Sequence, residues 1–578
     1  MKNSKKVKNL IEKKSMTILI AGILGWVVYI IGSIVDSVFA GNISEEALAG
    51  VEIVVPFYTI ILFVACLFCE GASIKFSRYL GEGKTKEARE LFGHGLFSCI
   101  LSGIVIASLM YFLKGPFLRI FADPNTSVYK YAEEYYFWFI PLAVMYPVRA
   151  YIYRICCEDA ENLFAVLADA GEMVTNLVLS TIFVRTMGVK GLSLSTFISS
   201  CVSLALISLH FLRKTNAVKF GFKIKAEDFS DMLKLGSGIW LNALFVAVVD
   251  LVLNGFISSK FGAECLASYA LVNFALNFTE LFSCATGSVS GFISICDGTK
   301  NHNDIKKLIK IGKKYMIIIT LTCTLLLCSL CTALPKFYGV TSNEQFRYSC
   351  VALLTISPLF IIYGFLGFTG TYYSCLKRPS VAVINQVTLQ LTFPLLFAIG
   401  LSYITNSYYG VIFGVAISPI FAFLVIWIYL KKTNKTHKFY EIPYYGEEQF
   451  SFDLRLELDE IMATRQAMED KLIEMNIEKS SINKAMMVLE DLLTLIKEKN
   501  DGRNKIISDR ITIGVSEKAI RILSMDDGVI FDVYHTGKDA RIYNDAYYAF
   551  TTIPRKKSIN NNIIMSYNIS SLIVDRVL

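Results

Sequence analysis

Charge is scarce in this chain. Only 18% of its 578 residues are Asp, Glu, Lys or Arg, while 54% are hydrophobic. That balance excludes an ordinary soluble globular protein of this length. Histidine is rarer still: the five present are dispersed, so no constellation with zinc-site spacing forms. The fourteen cysteines fall mostly inside apolar runs. Cys66-Leu67-Phe68-Cys69 has CxxC spacing, but it lies within such a run, where small polarizable packing residues are expected rather than an accessible redox or metal-binding thiolate. The net charge of +8 calls for no nucleic-acid partner, because the excess lies beside apolar runs, where it orients the chain and meets anionic lipid.

What is present is a series of apolar stretches of about 20 residues, long enough to cross a bilayer as helices. About twelve are read, at 15–39, 51–74, 93–113, 130–154, 162–185, 190–212, 235–259, 264–294, 314–334, 348–375, 380–404 and 409–431. The basic head (Lys2, Lys5, Lys6, Lys8, Lys13, Lys14) precedes a run that is too long for a secretion signal and contains an acid. Basic residues recur in alternate gaps, at Lys84–Arg89, Arg213–Lys225, Lys300–Lys314, Lys377–Arg378 and Lys431–Lys438. By the positive-inside bias both termini are expected in the cytoplasm of a multi-pass cell-membrane protein.

Two related passages each carry an aspartate inside an apolar run: Ile34-Val35-Asp36-Ser37-Val38 and Val248-Val249-Asp250-Leu251-Val252. They belong to two similar units, 1–215 and 230–431. The same order of features recurs in each: Ala47-Leu48-Ala49 with Cys265-Leu266-Ala267, Gly81-Glu82-Gly83-Lys84 with Cys296-Asp297-Gly298-Thr299, Pro141 with Pro358, and Gly188-Val189 with Gly410-Val411. An even number of spans per copy gives parallel repeats, hence two bundles facing one cleft that rocking exposes alternately to each side. Acids at membrane depth are costly and mark functional positions.

The run Val35-Asp36-Ser37-Val38-Phe39-Ala40-Gly41, followed by Glu46-Ala47-Leu48-Ala49-Gly50 and Pro56, resembles the first-helix signature of the multidrug and toxic compound extrusion (MATE) family. The Gly81–Lys84 loop, Pro141 and Pro358 are similar to that family's pattern as well, so the likeness covers roughly residues 1–435. It implies twelve helices in two lobes and export of organic, often cationic, compounds driven by entry of Na⁺ or H⁺, with Asp36 at the family's first-helix acid. No cofactor is implied. A monomeric transporting unit is expected.

Asp36 is the first candidate for ion coupling and Asp250 the second, with Glu70, Asp169, Glu172 and Glu280 as further acids. Asp169, Glu172 and Asn176 share one helix face at spacings of three and four. Arg149, in Pro147-Val148-Arg149, could pair with such an acid or snorkel to the interface. The clusters Tyr135-Tyr136-Phe137-Trp138 and Tyr372-Tyr373 read as interfacial belts rather than a substrate pocket.

After Lys438 charge becomes frequent. Helices are expected at 456–475 and 481–499, and strands at 510–514, 519–524, 529–534, 563–565 and 573–577, with a turn at Asp526-Asp527-Gly528. This 440–578 module resembles the histidine-kinase-like ATPase (GHKL) fold of anti-sigma-factor kinases. Glu490 and Thr494 stand at its Mg²⁺-binding helix, and Asp526 and Gly528 at its Asp-x-Gly box. Thr494 replaces the usual asparagine, and Ser558–Ser566 contains no glycine, which a phosphate-binding lid would need.

The expectation is therefore an all-α polytopic membrane protein with a soluble α/β tail. Its lobes span 1–215 and 235–434, joined by a cytoplasmic linker at 216–234, and the tail is a regulatory domain open to a cytoplasmic regulatory protein. The expected activity is export of a small organic substrate across the bilayer, not enzymatic catalysis. The rivals are an exporter of lipid-linked or polysaccharide precursors, to which only Arg149 points, and a membrane-tethered GHKL-type signalling kinase.

Overall fold

A computed structural model describes residues 10–158, 162–212, 218, 220–221, 223–262, 264–337, 342–501, 506–529, 559–564 and 567–576. The first bundle comprises α1 (Leu10–Ile43), α2 (Glu45–Gly81), α3 (Thr85–Phe121), α4 (Ser127–Tyr136), α5 (Phe139–Glu158), α6 (Asn162–Met187) and α7 (Val189–Ser208). A short amphipathic helix, α8 (Ala226–Leu235), follows. The second bundle comprises α9 (Ser237–Phe261), α10 (Glu264–Asn277), α11 (Glu280–Gly298), α12 (His302–Ser329), α13 (Ala333–Phe337), α14 (Asn343–Ile356), α15 (Phe360–Cys375), α16 (Ser380–Gln386), α17 (Phe393–Thr405) and α18 (Tyr409–Thr433). Among the described residues, nine helical segments are long and apolar enough to cross a membrane. Their outer faces leave Leu251, Leu325 and Phe112 more than two-thirds exposed. A surface this apolar on long helices is suited to lipid rather than water.

Two expected spans are broken. The fourth divides into α4 and α5 around Phe137-Trp138, and the eighth divides into α10 and α11 around Phe278-Thr279. The linker expected at 216–234 contains α8, held to the first bundle by Lys75, whose ammonium reaches Asp228 at 2.8 Å and Asp231 at 2.6 Å. One proposed correspondence between the copies also changes. Gly188 adopts φ 60° in the turn between α6 and α7, a conformation glycine adopts without strain. Gly410 instead lets α18 pack on the backbone of α17 at Ser402, the position that Gly191 fills against Phe183 in the first bundle.

The contacts that bridge the bundles lie toward one face of the molecule. Arg78 of α2 donates to Asp297 of α11 at 3.0 Å and also to the Cys375 carbonyl. Gly22 of α1 abuts Cys284, Trp26 meets Phe278, and Glu12 pairs with Lys314 at 3.4 Å. Asp36 lies ten residues further along α1 than Trp26, about 15 Å at helical rise. Among the described residues, no bridging contact is recorded at that depth.

The same face carries the tail. Strands β1 (Glu448–Arg455), β2 (Ser508–Val515), β3 (Ala519–Asp526), β4 (Ile559–Ile564) and β5 (Tyr567–Asp575) form an antiparallel sheet in the order β1-β2-β3-β5-β4. Helices α19 (Leu458–Glu474) and α20 (Lys479–Lys499) match expectation to within two residues. Strand β1 was not foreseen, most of the strand expected at 529–534 lies outside the described residues, and the glycine-free stretch at 558–566 supplies β4 at Ile559–Ile564. Alternation sends Ile511, Ile513, Ile520, Ile522, Leu572 and Val574 to the helices and Leu523, Met525 and Ile569 to the membrane bundles.

Gly71 of α2 sits against the main-chain carbonyl of Met232 in α8, with no room for a β-carbon. Gly71→Val is expected to destabilise the protein by about 1–3 kcal/mol through overpacking, lowering its apparent Tm in detergent. An unchanged Tm would dissolve the α2–α8 contact as a structural element.

Candidate ion-coupling site

Asp36 is held inside the first bundle by two hydroxyls. Tyr135 of α4 donates to its Oδ2 at 2.6 Å and Thr196 of α7 to the same oxygen at 3.0 Å. Oδ1 is buried and has no partner among the described residues. An ionised carboxylate offers about four acceptor positions, and no cationic side chain contacts this one in the described structure. It is a negative group in an apolar setting, half satisfied by neutral donors, with one oxygen free for a cation or a proton.

The site continues along the seam between α6 and α7 as a ladder of antiparallel rungs. The Asn176 amide donates to Thr196 at 3.1 Å, and Ser200 donates to Glu172 at 2.8 Å. At the next rung Arg149 of α5 donates to Ser203 at 2.9 Å and to Asp169 at 3.0 Å. Arg149 also pairs with Glu172, and Tyr153 donates to Asp169 at 2.7 Å. The Tyr146 and Tyr153 rings flank the guanidinium, each centroid 5.6 Å away. Arg149 therefore does not snorkel; the two acids on α6 and the two rings hold it inside. Gly25 lets α1 approach, since a β-carbon there would stand 2.9 Å from Asp169 Oδ2.

The remaining candidates stand apart. In the second bundle Asp250 accepts a hydrogen bond from Tyr269 at 3.3 Å, in the same relation to a tyrosine as Asp36 but with a longer bond. Glu280 lies in the first turn of α11, where a carboxylate suits the helix dipole, and its described partner is Ser283 at 3.5 Å. Glu70 is bound to Arg154 at 2.9 Å. Arg154 also pairs with Glu158, which receives Ser73 and Ser77, so Glu70 belongs to a structural cluster.

Tyr135, Tyr136, Tyr372 and Tyr373 are buried, not a belt. Tyr135 serves Asp36, Tyr136 donates to the Met110 carbonyl, and Tyr372 and Tyr373 donate to the carbonyls of Glu441 and Phe439. Sequence reasoning missed Thr196, Ser200 and Ser203. Their spacing of four and three mirrors that of Asn176, Glu172 and Asp169 on the facing helix, a signal available in the chain.

In the tail Glu490 is paired with Arg465, Thr494 is exposed, and Asp526 accepts the Gly528 amide at 2.8 Å. Burial and the neighbouring Asp526 push Asp509 well above the usual carboxylate range. Glu490 and Asp526 are thus engaged within the tail's own fold.

The sequence pattern of the family described as MatE matches residues 22–182. The multidrug export protein MepA of Staphylococcus saprophyticus is 20% identical over 446 residues, covering 73% of this chain and 94% of that protein. The Vibrio cholerae MATE transporter VcmN in its bent form superposes with a TM-score of 0.67 at 19% identity, covering 75% of this chain and 98% of VcmN. A multidrug resistance MATE transporter of the MOP superfamily in an outward-facing conformation gives 0.66 at 18%, covering 74% and 97%. The fold of the two bundles is thus that of MATE transporters. None of these matches extends over the whole chain.

Arg149→Leu would strand Asp169 and Glu172. The expected loss is about 2 kcal/mol, below the roughly 3–5 kcal/mol of a fully buried pair, because Glu172 keeps 22% of its side-chain surface. Adding Asp169→Leu should restore part of it. Unfolding midpoints in detergent check both steps; additive losses would contradict the pairing.

Proposed function

We propose that this protein exports small organic compounds, often cationic, in exchange for inward movement of H⁺ or Na⁺, with Asp36 as the coupling carboxylate. The observation that carries this reading is the arrangement at Asp36: one oxygen tied to Tyr135 and Thr196, the other buried and unpartnered. Such a carboxylate gains most from a cation or proton that fills its open side. The two hydroxyls would stabilise the ionised form once that occupant leaves. Asn176, tied to Thr196, would transmit the change to the α6–α7 seam, where Arg149 balances Asp169 and Glu172. Asp250 and Glu280 are the second-bundle acids that would share the work.

Both termini and the tail are assigned to the cytoplasm, from the basic gaps on that face. With the bridging contacts on the tail side, the described arrangement corresponds to a cleft open to the outside, and alternating access requires Arg78 to part from Asp297. The tail is assigned a regulatory role, and its occupied carboxylates speak against a kinase. Export of lipid-linked precursors loses its supporting feature, because the Arg149 charge is balanced by two acids.

Reconstituted protein with Na⁺ and pH gradients imposed separately tests the proposal, using a fluorescent organic cation. Asp36→Asn is expected to reduce ion-driven transport to background while leaving the apparent Tm within a few degrees. Full gradient-driven transport by this variant would refute the assignment.

A further inference from the structure

The sheet of the tail is covered on both faces: α19 and α20 lie on one, and the bundles' sealed end lies on the other. Its bundle-facing residues make contacts of two kinds. Arg510 on β2, 4% exposed, forms a charge-assisted fork on Asp304 in the first turn of α12 and pairs with Asp453 of β1 at 2.8 Å. Arg521 on β3 donates to the carbonyls of Thr299 at 2.5 Å and Lys300 at 3.1 Å, and it pairs with Glu447 at 2.7 Å. Asn303 and Lys307 reach Ser451 and Asp453. All of these grip the α11–α12 corner of the second bundle.

The apolar contacts reach the first bundle too. Leu10 and Ile11, which open α1, share one core with Leu523, Met525 and Ile569 of the sheet and with Phe292 and Ile295 of α11. The tail thus lies across the seam between the bundles. The connection leading to it is fastened as well. Tyr372 and Tyr373 hold the carbonyls of Glu441 and Phe439 at 2.7 Å each, Arg378 binds Asn434 and Glu441, and the Tyr445 hydroxyl donates to Asp297 at 2.6 Å. Asp297 is the same carboxylate that receives Arg78 from the first bundle. One oxygen serves the strap and the other the inter-bundle bridge.

We infer that the tail is an autoinhibitory latch: docked as seen here, it holds the bundles together on its own side, and transport requires it to release. Parting the bundles on this face pulls Ile11 away from the sheet or breaks the buried Arg510–Asp304 pair. It also removes Arg78 from an aspartate that Tyr445 helps to orient. This extends the alternating-access reading given above, and it is tested without depending on transport.

Two native cysteines report the two events. Cys296 lies beneath the docked sheet, among Asp304, Arg510 and Met525. Cys375 lies under the bridge, its carbonyl bound by Arg78 and its side chain fully buried. Full-length protein in liposomes, treated with a maleimide and read by peptide mass spectrometry, gives both rates. Arg510→Met is expected to raise labelling of Cys296 and Cys375 together by about tenfold, an effect of roughly 1.4 kcal/mol, while buried Cys69 stays protected. Cys296 exposed with Cys375 unchanged overturns the latch, as does protection of both. Tyr445→Phe touches neither Arg510 nor the sheet and carries the test if Arg510→Met unfolds: Cys375 labelling should rise, and no rise overturns the inference. Parallel transport assays separate the two readings. If labelling responds while neither wild type nor variant moves the fluorescent cation, the export reading falls, and what stands is that the docked tail holds the bundles together on its side.

Discussion

The structure turns on the cost of placing a carboxylate where water is absent. Asp36 meets that cost only in part: two neutral hydroxyls serve one oxygen and the other is left open. The acids beside Arg149 and Arg154 in the same bundle are balanced more fully. Asp169 and Glu172 share Arg149, and Glu70 and Glu158 share Arg154. Had Arg149 or Arg154 been placed beside Asp36, that carboxylate would be permanently paired and could not exchange occupants. The division of labour between balanced and unbalanced acids gives the first bundle both a rigid framework and a responsive group.

Much of this was legible in the chain. The length and spacing of the apolar runs gave the helical bundles, and the rarity of charge within them singled out Asp36, Asp250 and the acids of α6. Periodicity placed Asp169, Glu172 and Asn176 on one face, and the structure sets that face against the hydroxyls of α7. The hydroxyl partners were harder to read because serine and threonine are common in membrane helices and become meaningful only once the facing helix is known. Tyr135 was misjudged for a related reason: an aromatic near a span end reads as a belt, whereas the break between α4 and α5 turns its hydroxyl inward. The breaks themselves are tertiary facts, since Phe137-Trp138 and Phe278-Thr279 are not helix breakers by composition.

Part of the tail escaped the sequence because its sheet is buried on both faces. β2 and β3 fall where strands are expected, at 510–514 and 519–524, although they alternate between apolar residues under the helices and a mixture of arginine, threonine, leucine and methionine against the bundles. β1 carries Ser451 and Asp453, which look like surface residues until they meet Asn303 and Lys307. The tail is therefore shaped by the membrane domain as much as by its own core.

The helix that follows α15 contains a π-helical stretch, Val387–Thr392, between α16 and α17; α6, which opens the corresponding pair in the first bundle, has none among its described residues. Such a stretch holds an added residue inside a helix without disturbing either flank. The distance between matching points of the copies is 217 at Pro141 and Pro358 and 219 at Gly191 and Gly410. The spacing of the two copies is thus not constant through this pair of helices. A wider turn there loosens the local ladder of main-chain bonds, so the irregularity marks a place where the second half can bend.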